Sequence, residues 1–237
     1  MEGRTRYAEV DWIRSALFVG RRYVVVGDLL DADAPHEYTW RLHANAGGTV
    51  GGSVTLDASH QRAHILRERA GLQVHVGASV PVTVHPAPAT HPETDYVYWH
   101  VINGAPGEHD VLDATFIGQS ETVVSVLFPH RVATPAPSGL DGSAQVTAIT
   151  GLPAGAWAWR IELGDGTVDV VVANQGGGSL TVEVAPGLEV TTNGRWAAFT
   201  AVHGARPRAW VVRGDAAAIN GASLALDGSA ATFAFTP

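Results

Sequence analysis

The stretch YVVVGDLLDADAPHEYTWRLH, from Tyr23 to His43, places ionisable and aromatic side chains at the two-residue spacing of a β-strand. Successive side chains of an extended chain point to opposite faces. His36, Tyr38, Trp40 and Leu42 therefore share one face, and Glu37, Thr39, Arg41 and His43 share the other. The first set reads as core. The second reads as a ladder facing a ligand, in which the planar fork of Arg41 can grip a carboxylate and His43 can transfer a proton near neutral pH. The plain alternative is an ordinary solvated strand face.

A second constellation follows further along. Tyr96, Tyr98 and His100 alternate on one face, opposite Val97, Trp99 and Val101, and Glu108, His109, Asp110 and Asp113 come next in what reads as an acidic turn. This Tyr-Tyr-His face could serve acid/base chemistry or hold a divalent metal, although scattered histidines are expected in a chain with 11 of them. His60 and His64 are four apart, which suits two metal ligands only on a helix. His75 and His85 on strands, with His91 in a Pro-rich segment, lack a close acidic partner. Trp157 and Trp159 fall on one face and could form a platform for sugar rings, or equally pack between sheets as aromatic residues commonly do. Gly176, Gly177 and Gly178 read as a hairpin loop rather than a phosphate cradle. No nucleophile elbow, Walker loop, dinucleotide fingerprint, zincin helix or EF-hand loop is present.

The 237 residues carry a formal charge of -8, are 46% hydrophobic and include no cysteine. A net acidic chain lacks the basic face that nucleic acid or anionic lipid requires, and the missing thiols exclude disulfides and thiolate sites. The hydrophobic fraction is enough for a sizeable core. All 15 basic residues are Arg, a choice that suits bidentate pairing with carboxylate or sulfate but also follows from an Ala-, Gly- and Val-rich composition. Met1 to Val10 has no signal-peptide core, so the sequence reads as cytoplasmic if Met1 is the native start.

Short runs rich in Val, Thr, Ile and aromatics, separated by Gly, Asp, Asn and Pro, must position these groups. Fourteen such runs predict an all-β, antiparallel two-sheet β-sandwich. They include Trp12 to Val19, Tyr23 to Leu30, Glu37 to His43, Thr122 to Phe128 and Trp157 to Leu163. Gly20-Arg21-Arg22, Gly164-Asp165-Gly166, Asn193-Gly194-Arg195 and Asp227-Gly228 read as hairpin corners. Ser59 to Ala70 fits either period, with strand or irregular structure preferred over helix. The chain reads as a single sandwich domain, residues 1–237, with a sub-boundary conceivable at the Pro-rich residues 133–140.

Several of these patterns resemble the β-sandwich that follows the α/α-toroid domain in heparinase II/III-like polysaccharide lyases. The resemblance rests on Arg14, Tyr23 to Asp28, His36 to His43 and Ser125-Val-Leu-Phe-Pro129, with Asp169 to Ala173 and Leu188 to Arg195 toward the end. It implies a super-sandwich fold and a part in binding, or cleaving by β-elimination, uronate-containing acidic polysaccharides. The family's catalytic Asn, His and Tyr come largely from the toroid, and its metal site precedes the region matched here. The resemblance therefore implies an incomplete or noncatalytic portion, partnered by glycan and by a separate toroid domain. An exposed sheet edge near the N-terminus would offer a place for another chain to pair. Acid/base chemistry is expected of His43, Tyr98 and His100, and substrate contact of Glu37, Arg41, Trp157 and Trp159. No cofactor is implied, although a divalent metal is compatible with the histidines.

Overall fold

The computed structural model describes residues 2–7, 9–58, 61–90, 101–102, 105–106, 108–132, 144–201, 207–224 and 226. Three large antiparallel sheets lie on one another. The first contains β1 (Glu2–Tyr7), β2 (Val10–Val19), β3 (Tyr23–His43), β4 (Ser53–Leu56), β5 (Arg62–Leu66), β6 (Ala70–Ala78), β7 (Val84–Thr90) and β10 (Glu108–Arg131). Its order is β1-β2-β3-β10-β6-β5-β4, and β7 pairs with the first half of β10. A two-strand ribbon, β8 (Val101–Ile102) and β9 (Ala105–Pro106), stands apart from it.

The second sheet runs β11 (Gln145–Ile149), β12 (Ala156–Glu162), β13 (Val168–Asn174), β16 (Trp196–Ala201) and β17 (Arg208–Val212). The third comprises β14 (Leu180–Ala185), β15 (Leu188–Thr192), β18 (Ala217–Ile219) and β19 (Ala222–Ser223). Sequence explains the layering. In β14 Leu180, Val182 and Val184 are buried while Thr181 and Glu183 are exposed, as in a sheet with one wet face. In β13 the run from Asp169 to Asn174 is buried on both faces, as a middle layer requires. The expected all-β sandwich is thus present, with a third sheet added to it.

One core lies between the first two sheets, where Leu17, Tyr23, Val25, Val126 and Phe128 meet Trp159, Ile161, Val171 and Trp196. Fully burying side chains of this size contributes roughly 1.5–3 kcal/mol each. Polar ties cross the same interface: the Arg22 guanidinium and the Tyr23 hydroxyl both donate to Asp169 Oδ2, at 2.8 and 2.7 Å. A second core joins Val170, Val172 and Phe199 to Val182 and Val190 of the third sheet. A third lies inside the first sheet, which curls so that Trp40, Leu112 and Phe116 meet Ala63, Ile65, Val74 and Val76.

The curl comes from two long strands. The sequence predicts separate strands on either side of the acidic Asp28 to Asp33 segment, and an acidic turn from Glu108 to Asp113. The structure instead has one 21-residue β3 and one 24-residue β10. Their register breaks once: Gly118 faces His36 and Ser120 faces Asp31, so β3 carries extra residues there. Such a bulge bends the ribbon and turns its faces over. Leu112, Ala114 and Phe116 consequently point into the curled core, whereas Val124, Val126 and Phe128, of the same parity, point into the sandwich. A sequence window too short to include both sides of a bulge sees turn residues and ends the strand.

Turn chemistry holds at Gly20-Arg21, both at positive φ (57° and 59°), where Arg22 N donates to Val19 O at 2.9 Å. Gly164 to Gly166 also closes a hairpin. Asn193 to Arg195 and Gly176 to Gly178 do not, because each links the second sheet to the third. The segment at 59–70 contains β5, a strand, so His64 has no helical partner four residues away. Asp227, Gly228 and residues 133–140 lie outside the described residues. At the other end, β1 is the edge strand of the first sheet.

Candidate functional site

Glu37, Thr39, Arg41 and His43 share one face of β3, and register supplies what lies opposite them. Across the ribbon His43 pairs with Val111, Arg41 with Asp113, Thr39 with Thr115 and Glu37 with Ile117, while β7 sets His85 opposite Asp113. Arg41, Asp113 and His85 therefore form one row over three strands. Arg41 Nε and Nη2 donate to the two carboxylate oxygens of Asp113 at 2.7 and 2.6 Å. This fork-to-carboxylate pair raises the Arg41 pKa, first through the hydrogen bond and then through the charge. Thr39 and Thr115 share a hydrogen bond of 3.2 Å beside it.

His43 is exposed, yet its Nδ1 lies 3.0 Å from Nε2 of His109, which is only 1% exposed. A hydrogen bond between two imidazoles needs one N–H and one lone pair. The state of His109 therefore selects the tautomer of His43, and with it whether Nε2 of His43 carries a proton or a lone pair. Glu37 is exposed at the far end of the same face.

Bending of the ribbon opens a cleft of about 450 Å³ between β2 and the second half of β3. Its walls include Tyr7, Trp12, Arg14, Asp28, Tyr38 and Trp40, and Glu37 and Arg41 border it. Arg14 Nε and Nη2 donate to Asp28 at 2.6 and 2.9 Å, Trp12 Nε1 donates to the same carboxylate at 2.8 Å, and the guanidinium sits 4.8 Å from the Trp12 ring centroid. The Asp28 bond raises the Arg14 pKa. Burial raises that of Tyr38, reinforced by the charges of Glu121 and Asp31.

A larger cavity, about 610 Å³, lies between the end of β6 and the loop from β11 to β12. His75, Trp157 and Trp159 line it. Trp159 is buried in the sandwich core and Trp157 packs partly against it, so the core is where this pair lies. Burial lowers the His75 pKa to about 4, with the Arg62 charge acting in the same direction.

Of the residues expected to carry chemistry, Arg41, His43 and Glu37 share one strand face. Trp157 and Trp159 belong to the other end of the sandwich. Tyr98 and His100, like Tyr96, His60 and His91, lie outside the described residues. Among the described residues no group of three His, Asp or Glu side chains has the arrangement of a metal site. Sequence reasoning missed Asp113 as the partner of Arg41, His109 as a buried strand residue, and the Trp12, Arg14, Asp28 cluster. Alternation on β2 places Trp12 and Arg14 on one face, but only the register against β3 reveals Asp28 opposite Arg14.

Fold and site together define an all-β sandwich with a charged ladder and an aromatic cleft on its largest sheet. Solved structures share this architecture. One heparinase III structure aligns with a TM-score of 0.52 at 11% identity, covering 72% of this chain and 25% of that one. Another heparinase III structure gives 0.52 at 12% identity, over 71% and 24%. The chain spans about a quarter of the length of these enzymes, and at such identity the likeness is one of fold. No family model matches the sequence, and no curated protein matches it.

Proposed function

We propose that this chain is the β-sandwich portion of a polysaccharide-lyase-type protein and binds uronate-containing acidic glycan along the β3, β10 and β7 face. The observation that carries the reading is the exposed Arg41, oriented by Asp113, two residues from the His43 and His109 pair on the same face. A pre-oriented guanidinium recognises a uronate carboxylate at little ordering cost. β-Elimination needs a group to neutralise the carboxylate, a base for the adjacent proton and an acid for the leaving oxygen. The ladder supplies a guanidinium and one exposed imidazole, which suits binding and proton handling but leaves the three roles incomplete. The fold shared with heparinase III supports this reading, and a separately contributed α/α-toroid would supply the remaining groups.

The test is calorimetric titration of the full chain with heparin, hyaluronate and alginate, alongside absorbance of the unsaturated uronate product. Binding without product, weakened in Arg41→Ala, is the expected result. Product formed by the chain alone and lost in His43→Ala would overturn the noncatalytic assignment, and failure to bind any acidic glycan would overturn the reading altogether.

A further inference from the structure

We infer that the cleft between β2 and the second half of β3 is a subsite for an uncharged pyranose ring, distinct in chemistry from the charged ladder beside it. The inference rests on the polysaccharide reading above and adds to it the kind of residue this cleft takes.

Shape and surface come first. A cleft of about 450 Å³ is of the size that holds a small ligand. Trp40 and Phe116, both buried, lie at its base, while the half-buried Trp12 and Tyr38 and the 77% exposed Tyr7 give it further aromatic wall. Aromatic faces carry partial negative charge and attract the polarised C–H groups on the flat face of a sugar ring. Trp12 is fixed in place twice over, by its Nε1–H on Asp28 and by the Arg14 guanidinium near its ring. A ring already held loses little freedom when a ligand stacks on it.

Charge then decides which sugar. Arg14, the guanidinium that walls the cleft from β2, is bound two-pronged to the buried carboxylate of Asp28. Glu37 borders the same space as a further carboxylate, and the negative field of Glu121 and Asp31 reaches Tyr38. The cleft therefore has no excess of positive charge. A densely anionic segment would meet a guanidinium already held by a buried carboxylate and an exposed glutamate, and would gain little from displacing its counterions. An uncharged ring instead gains stacking on Trp12 and Tyr7 and hydrogen bonds from its hydroxyls to Glu37. In a glycan that alternates uronate with neutral sugar, the ladder and the cleft would take successive residues.

The test is calorimetric titration of the full chain with neutral hexasaccharides of glucose, mannose and N-acetylglucosamine, at low and high salt. The expected result is binding of at least one of them with little dependence on salt. Tyr7→Ala and Trp12→Phe should each weaken it, by up to about tenfold for the loss of the Tyr7 ring. Phe18→Ala, an exposed aromatic on β2 outside the cleft, should leave it unchanged. Tyr7 is exposed, so its truncation keeps the fold even if Trp12→Phe disturbs it. Binding of a neutral hexasaccharide that Tyr7→Ala weakens supports the subsite even if no acidic glycan binds, an outcome that would overturn the acidic-glycan reading above and leave the subsite standing. Absence of binding by all three, or binding indifferent to both substitutions, overturns the inference even if acidic glycans bind.

Discussion

His43 Nδ1 and His109 Nε2 lie 3.0 Å apart across β3 and β10, one imidazole exposed and the other sealed beneath it. The pair joins the surface ladder to the packed interior, and its two members should respond differently to removal. His109→Ala leaves a cavity and strips a buried partner, at a cost of roughly 2–4 kcal/mol in unfolding free energy. His43→Ala removes a solvated ring and costs less than about 1 kcal/mol. Urea unfolding curves of the two variants check this, and equal costs would contradict the assigned burial.

The half-buried His75 sets a pH limit on stability. Gln73 Nε2 donates to His75 Nε2, which requires a lone pair there and hence a neutral ring. Burial and the nearby Arg62 and His64 lower its folded-state pKa from 6.5 to about 4, against a smaller opposing effect of Asp57. The unfolded state therefore takes up the proton first as pH falls. Stability from this group is fully present above pH 6.5 and is lost as pH drops through about 4. The loss should amount to roughly 2–3 kcal/mol. Denaturation midpoints at neutral and mildly acidic pH will show it, and His75→Gln should flatten the difference.

How much of this was legible beforehand depends on the range of each signal. Alternation within a strand placed Tyr38, Trp40 and Leu42 toward a core and Arg41 and His43 away from it, because side-chain direction is a local property. The continuity of β3 through Asp31 to Pro35 was not legible, since the strand is held on both sides of this bulge by pairing with β10, more than 80 residues away. The acidic reading of Glu108 to Asp113 failed for the same reason: His109 is buried and Asp113 half-buried by neighbours that the local sequence does not contain. Asp28 as partner to Arg14 and Asp113 as partner to Arg41 are both facts of register. Such cross-strand pairs define the site, so the local sequence encodes the fold more openly than the function.

Arg41 and Asp113 offer a separation of binding from stability. Their pair is largely solvent-exposed on the Arg41 side, at 51%, and exposed ion pairs contribute about 1 kcal/mol or less. Arg41→Ala should therefore unfold at nearly the wild-type urea concentration while acidic-glycan affinity falls. Asp113→Asn keeps the guanidinium but loosens its orientation, and should weaken binding less than Arg41→Ala does. Parallel unfolding and titration measurements test the ordering; a large stability loss in Arg41→Ala would mean the residue serves packing instead.

The tightest steric requirement lies between the first two sheets. Gly27 of β3 sits against Trp196 of β16, and a methyl group built at Gly27 would fall 2.2 Å from the indole ring. Trp196 is completely buried, in a core that includes Val25, Leu29 and Val171, so the ring has no solvent to move into. Gly27→Ala should thus destabilise the protein by roughly 1–3 kcal/mol through overpacking. Trp196→Phe alone should also destabilise it, by leaving a void where the larger ring stood. Combined, the two changes are complementary in volume, and the double variant should lose less than the sum of the single losses. Coupling of about 0.5 kcal/mol or more in that cycle, measured by urea unfolding, would establish the contact; strict additivity would exclude it.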